Sequence, residues 1–215
     1  MKKLFKISGN HAIKEIINNP NRNVVSIHGS VEFYKNIIPI NKINVSKENY
    51  VFVNEIFVES SLHDIIKTYN RIILVDKMED TRNLGSIIRS AAILGYAVLI
   101  REEGCGITPM VVQCASGGTE QVKIHILKNT KTSIDILKNN GFWFLSLSEK
   151  KLTTISKTMD IDKLAIVIGC EFSGISKMIF DCCDFNLMLS GNDKFNIYNA
   201  SVAASIAMYN YSLFS

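Results

Sequence analysis

No stretch of this sequence is long and apolar enough to span a bilayer. The longest, from Ala91 to Ile100, is broken by Gly95 and falls far short of the roughly 20 residues a membrane helix needs. The N-terminus, Met1-Lys-Lys-Leu-Phe-Lys-Ile-Ser-Gly, is basic but leads into neither an apolar core nor a small-residue cleavage site. No signal peptide is therefore expected, no membrane is engaged, and the cytoplasm is the expected location. The five cysteines (Cys105, Cys114, Cys170, Cys182, Cys183) show no CxxC and no Cys/His spacing. That argues against zinc or any other metal and against a disulfide framework, and leaves reduced thiols, with Cys182 and Cys183 as packing residues. Internal repeats and low-complexity tracts are missing too. So is a GxGxxG after the first strand: Gly104-Cys-Gly106 is a lone GxG with no helix behind it, which speaks against a dinucleotide enzyme. Neither sign of charge dominates, since 24 Lys+Arg against 20 Asp+Glu leave +4. Such a balance permits a polyanionic partner without demanding one.

What is present is an ordinary globular composition, 47% apolar and 20% charged over 215 residues, enough for one or two compact domains with a substantial core. From residue 66 onward, strand and helix patterns alternate. Arg71-Ile-Ile-Leu-Val-Asp76 is an apolar run ending in a carboxylate, and 83–94 follows at helical spacing with Leu84, Ile87, Ile88, Ala91 and Ala92 on one side. Further strands are predicted at 96–100, 122–127, 142–147, 164–168 and 185–189. Helices are predicted at 111–115, 132–139 and 199–211, with Gly141 ending the second. This alternation implies an α/β fold whose mostly parallel sheet is covered on both faces. Residues 1–62 differ: a short helix after Gly9 and strands at 24–28 and 51–58 suggest a separate small α/β module. A linker is expected between Glu59 and Tyr69.

Three segments place polar groups where a strand or loop hands over to a helix. In Asp80-Thr-Arg-Asn83-Leu-Gly-Ser-Ile-Ile-Arg89-Ser-Ala-Ala, Asn83 is expected to cap the helix, and Arg89 could grip a phosphate with its planar fork. A capped amphipathic helix with a solvated Arg fits the same residues equally well. Val167-Ile-Gly169-Cys-Glu171-Phe-Ser-Gly174 is a strand running into a glycine turn, where close backbone approach is possible and Glu171 could orient an Asn or Arg. Taken alone, an ordinary glycine turn is the commoner reading. Tyr198-Asn199-Ala-Ser201-Val-Ala-Ala-Ser-Ile opens a helix of small residues that a cofactor or another segment could approach. A buried Ala/Ser-rich helix is as good a reading.

In order and spacing these segments resemble the three motifs of the SpoU (TrmH-like) RNA ribose 2′-O-methyltransferases of the SPOUT superfamily. The first fits Asn-Leu-Gly followed by Ile-Ile-Arg-x-Ala. The second fits Gly-x-Glu-x-x-Gly at Gly169, Glu171 and Gly174. The third matches Ser-Leu-Asn-x-Ser-x-Ala at Asn199, Ser201 and Ala203, with Ile197 and Tyr198 replacing the Ser and Leu. The family's Ile-Pro-Met-x-Gly loop falls on Leu189-Ser190-Gly191-Asn192-Asp193, which keeps only the apolar first position. Cys114-Ala-Ser116-Gly-Gly-Thr119-Glu120 resembles the family's Ser- and Gly-containing segment ending in Glu. Gly9-Asn-His11-Ala-Ile13 resembles the opening of the RNA-binding extension on bacterial 23S rRNA members, the type this chain is most similar to.

The resemblance implies a methyltransferase domain at 66–215 whose C-terminal segment forms a trefoil knot. It also implies a shortened L30e-like RNA-binding module at 1–62. S-adenosylmethionine would lie in the knot loops, held largely by backbone groups at Gly169, Leu189 and Tyr198 with Leu147 and Leu187 nearby. The catalytic set carried over is Arg89, Asn83, Glu171 and Asn199. Arg89 would clamp phosphate first and accept the hydroxyl proton second, because a guanidinium is an awkward base. A homodimer completing its active sites across the interface is implied, with rRNA of the 23S type as substrate first, tRNA second, and no metal. The altered residues 190–193 and 197 motivate one rival, a catalytically inactive RNA-binding protein of the same fold.

Overall fold

Two sheets organise the described residues, 3–148, 161–189 and 198–212 of the computed structural model. Strands β1 (Phe5–Ser8), β2 (Val24–Gly29), β3 (Ile43–Val45) and β4 (Tyr50–Val53) form a small mixed sheet in the order β1-β4-β2-β3. Helix α1 (Asn10–Asn18) lays Ile13 and Ile16 against Ile7, Val51 and Val53 of this sheet, and α2 (Val31–Tyr34) adds the buried Tyr34. β1 and β3 were not read from the sequence; at four and three residues their apolar–polar alternation is too short to stand out. The run 51–58 stops being a strand at Val53, and Glu59 instead bridges to Ile124 of the other sheet.

The larger sheet contains β5 (Arg71–Val75), β6 (Ala97–Arg101), β7 (Ile124–Leu127), β8 (Trp143–Leu147), β9 (Leu164–Ile168) and β10 (Phe185–Leu187), ordered β10-β8-β9-β5-β6-β7. Every pairing is parallel. Alternation along each strand feeds two cores, as period-2 geometry requires of a sheet buried on both faces. Ile73, Val75, Val98, Ile100, Ile166 and Ile168 point one way, toward α4 (Thr81–Leu94), α5 (Pro109–Ala115) and α9 (Ala200–Ser212). Ile72, Leu74, Leu99, Ala165 and Val167 point the other way, toward α3 (Leu62–Thr68), α7 (Thr130–Asn139) and α8 (Lys177–Phe180). α3 occupies the stretch read as a linker. Ser61 caps it, and its Ile65 and Ile66 are buried in one core with β5 and β6 while Leu62 packs at the margin; three apolar residues at i, i+3 and i+4 cover barely more than one turn, too short a run to establish a period.

The small sheet is fastened to the larger one by α5 and α6 (Gly118–Gln121). Val112 of α5 enters the same apolar cluster as Ile7 and Ile13. Glu120 of α6 receives a 2.7 Å hydrogen bond from Asn19 and lies 3.5 Å from Arg22 Nε, with the two side chains of this ion pair only 3% and 1% exposed. Arg22 also donates to the Ile56 carbonyl at 3.1 Å. All five cysteines are free thiols. Among the described residues no helix is long and apolar enough to cross a membrane, and no cluster of potential metal ligands occurs.

Tyr96, fully buried between α4 and β6, donates its hydroxyl to the Met208 carbonyl at 3.0 Å. Burial pushes its pKa from 10.0 to about 12, as it does for Tyr34. A tyrosine whose folded pKa is raised contributes stability that is complete below its unfolded pKa and is lost as pH rises through the folded value. Stability should therefore hold up to about pH 10 and fall between 10 and 12. Urea midpoints across that range, with tyrosinate absorbance as a second probe, check it; a flat profile would refute the assignment.

Candidate active site

Arg89 apart, the motif residues gather at the carboxyl ends of β5, β8, β9 and β10, the edge where open parallel sheets place their ligand crevices. β9 ends at Ile168 and hands over to Gly169 and a tight turn, in which Cys170 and Gly174 exchange backbone hydrogen bonds at 3.2 and 2.9 Å. Gly169 is obligatory here. A Cβ on it would lie 2.2 Å from the Gly174 carbonyl carbon and 2.4 Å from the Ile175 nitrogen. The turn's own backbone, rather than a ligand, fills the space a side chain would need. Gly169→Ala should therefore displace the 170–175 backbone and cost about 1–3 kcal/mol, the usual range for overpacking. A urea midpoint equal to wild type would contradict this.

The turn presents Glu171 to α4. Asn83 Nδ2 donates to Glu171 Oε1, joining the first and second motifs across 88 residues of sequence. Asn83 does not cap the helix as predicted. Asp80 does, accepting from the Arg82 amide at 2.7 Å, and this leaves the nearly buried Asn83 amide free for Glu171. An Asp three residues ahead of the Asn was the overlooked cap signal. Asn199, by contrast, is a true cap: its Oδ1 accepts from Ser201 N at 3.0 Å, Ser201 Oγ at 2.7 Å and Val202 N at 3.4 Å, which fixes the start of α9.

Arg89 stands apart from this pair. Six residues along α4 from Asn83, it is displaced by about 9 Å along the axis and roughly 120° around it. It is exposed, not held among the neighbouring isoleucines, which turn inward. Its Nη1 donates to Ser116 Oγ at 3.5 Å, and among the described residues no hydrogen bond joins it to Asn83, Glu171 or Asn199. Gly118 packs under it: a Cβ there would lie 3.0 Å from the Arg89 Cα. The arrangement leaves a solvated guanidinium open to an anionic ligand.

Leu147 and Leu187 end β8 and β10 and are buried, sharing one apolar cluster with Ile168, Ala200 and Ala203, while Leu189 packs at its margin. Tyr198, partly exposed, lies two residues ahead of α9, just before its cap Asn199. Residues 190–197, where the sequence departs from the family pattern, lie outside the described residues.

A second polar network was not assigned from sequence. Asp76, one residue past β5 and fully buried, accepts from Arg101 Nη1 at 3.1 Å and from the Ser176 amide at 2.6 Å. Arg101 also donates to Ser176 Oγ at 3.1 Å and forks onto Glu103 at 2.7 and 3.0 Å. Burial works to lower the Arg101 pKa, but the hydrogen bonds to Glu103 and Asp76 outweigh it and the net shift is upward. This network anchors the far end of the turn that carries Glu171. Its only sequence signal was a carboxylate closing an apolar strand.

The sequence pattern of the SpoU rRNA Methylase family matches residues 70–209, which include all of these motif residues. The chain belongs to the SpoU rRNA methylase family. A Staphylococcus epidermidis protein assigned to the TrmH family of tRNA/rRNA methyltransferases is 36% identical over 143 residues, covering 66% of this chain and 57% of that protein. The chain thus spans little more than half the length of that relative. Among solved structures, the SpoU methyltransferase AviRb from Streptomyces viridochromogenes superposes with a TM-score of 0.83 at 17% identity, covering 98% of this chain and 89% of that one. AviRb is also solved in complex with the cofactor AdoMet (TM-score 0.80, 17% identity, 98% and 90% covered). An RNA 2′-O ribose methyltransferase superposes with a TM-score of 0.76 at 15% identity, covering 99% and 88%. The α/β fold with its parallel sheet is thus that of SpoU methyltransferases, and the superpositions extend across the small N-terminal sheet.

Proposed function

We propose that this SpoU-family chain transfers a methyl group from S-adenosylmethionine to a ribose 2′-hydroxyl of RNA, with 23S-type rRNA as first substrate class and tRNA as second. The observation that carries the reading is the Asn83–Glu171 hydrogen bond, which assembles two of the three family motifs at the carboxyl edge of the sheet. A helix cap alone would not need a carboxylate 88 residues away.

The cofactor residues fit the group. Leu147, Leu187, Leu189 and the small Ala200 and Ala203 share one apolar cluster, surroundings suited to a neutral heterocycle. Backbone groups around Gly169, Leu189 and Tyr198 supply polar contacts. When bound, S-adenosylmethionine supplies an electrophilic methyl group. The chain's own residues position the attacking hydroxyl, and that alignment is the largest available gain, worth about 7–11 kcal/mol of barrier. Arg89, as a guanidinium, grips the RNA phosphate beside the reacting ribose; it takes up the hydroxyl proton only if the bound complex has first drawn one of its own protons away. Asn83 and Glu171 hold the turn, and Asn199 holds α9. The separation of Arg89 from Asn83–Glu171 within one chain supports a homodimer in which each site draws on both copies. A knotted C-terminal segment and an L30e-like module at 1–62, with 66–215 as methyltransferase domain, complete the reading.

Calorimetric titration with S-adenosylhomocysteine tests it. Saturable binding near one per chain is expected. Absence of binding up to millimolar concentration would leave the inactive RNA-binding reading in its place.

A further inference from the structure

We infer that the bare face of the small N-terminal sheet is a stacking platform for single-stranded RNA, a second contact for the substrate that the proposed methyl transfer requires. The register sorts the sheet into two faces. Ile7, Val51 and Ile27 face α1 and α5 and build the core. Lys6, Ser8, Ser26, His28, Asn44, Tyr50 and Phe52 alternate with them and share the opposite face. None of the apolar clusters among the described residues includes Tyr50 or Phe52.

Three rings therefore sit at the centre of a face that no apolar cluster covers. His28 and Tyr50 stack across β2 and β4 with centroids 4.6 Å apart and planes within 8°. Phe52 stands edge-on to both, at 5.7 Å and 87° and 85°. On the β1 side the Lys6 ammonium lies 4.1 Å from the Tyr50 centroid and 3.7 Å from the Glu48 carboxylate. A solvated cation, not an apolar wall, thus occupies that side of Tyr50. A nucleobase can displace it and stack on the ring, and the freed ammonium then meets the backbone phosphate. Lys42 and Lys47 flank β3 and are exposed, which adds positive charge along the same sheet. Ser26, bonded to His28 Nε2 at 3.0 Å, and Asn44 supply hydrogen-bonding groups for base edges.

Partly exposed aromatic rings on a sheet face that no apolar cluster among the described residues covers suit unpaired bases, whose flat faces are free. A duplex hides those faces.

The experiment measures anisotropy of a fluorescein-labelled single-stranded oligouridylate, and of a duplex of equal length, with the full chain. His28→Ala, Tyr50→Leu and Phe52→Leu are each expected to weaken single-strand binding by about tenfold while leaving duplex binding and S-adenosylhomocysteine titration unchanged. The exposed Lys6→Gln should fold normally and lower the salt dependence of binding by about one phosphate contact. Circular dichroism confirms that each variant is folded. The inference is overturned by ring variants that bind single strands like wild type, by equal losses on the duplex, or by a wild-type chain that binds no single strand. Ring-dependent binding by a chain that takes no S-adenosylhomocysteine would uphold the platform and remove the methyl-transfer reading, so the two fail separately.

Discussion

Arg89→Ala is expected to lower methyl transfer to RNA by about 10²–10³-fold, the scale for deleting one group that meets charge at the reacting centre. S-adenosylhomocysteine affinity should be nearly unchanged. The asymmetry follows from position. Arg89 is exposed, its Nη1 hydrogen-bonds Ser116 Oγ at 3.5 Å, and the apolar residues assigned to the cofactor lie at the ends of β8 and β10. Alanine is the best helix former, so α4 should survive and the melting temperature should barely move. Arg89→Lys separates charge from shape: an ammonium keeps the charge but not the planar fork, and partial recovery is expected. Single-turnover assays on RNA, with calorimetry on the same preparations, would decide. Substantial turnover by the Ala variant would remove Arg89 from the proposed chemistry. Equal losses of turnover and cofactor affinity would recast it as structural.

Much of the large sheet was legible because β5, β6 and β9 are nearly continuous apolar runs, as strands buried on both faces must be, and β5 and β7 lead into helices α4 and α7 with an apolar side. Where the signal was short, it failed. β1 and β3 are too brief to show alternation, and α3 hid inside an apparent linker. At the site, the motifs announced Asn83, Glu171 and Asn199 as polar residues at element boundaries, yet local chemistry could not say which of them caps a helix. Asp80 and Asn199 do, and Asn83 reaches across to Glu171 instead. That pairing spans 88 residues and has no local signature. Gly169 was read as a point of close approach for a ligand or a crossing backbone, and at the position of its missing Cβ it is the Gly174 carbonyl that comes close. Glu120 was matched only as part of a motif, and its buried partner Arg22 lies almost a hundred residues away, on the other sheet's side of the molecule.

Asp76→Ala should be the most destabilising single change at this end of the sheet. The carboxylate is fully buried and holds two donors at once, the Arg101 guanidinium and the Ser176 amide. Deleting one partner of a buried ion pair costs about 3–5 kcal/mol, because the remaining charge stays desolvated. Here Arg101 keeps its fork on Glu103, so the low end, about 3 kcal/mol, is expected. For a chain of this size that is roughly 6–12 °C in melting temperature. Asp76→Asn retains an acceptor for the Ser176 amide while losing the charge, and should fall between the Ala variant and wild type. The two variants also part in function. Ser176 closes the segment that begins at Gly169 and carries Glu171, so losing its anchor should loosen the Asn83–Glu171 bond as well as the fold. At a temperature where both variants remain folded, Asp76→Ala should show weaker S-adenosylhomocysteine binding than Asp76→Asn. An Ala variant that melts within about 1 °C of wild type would mean that water and Glu103 satisfy Arg101 unaided, and that the turn holds its place without Asp76.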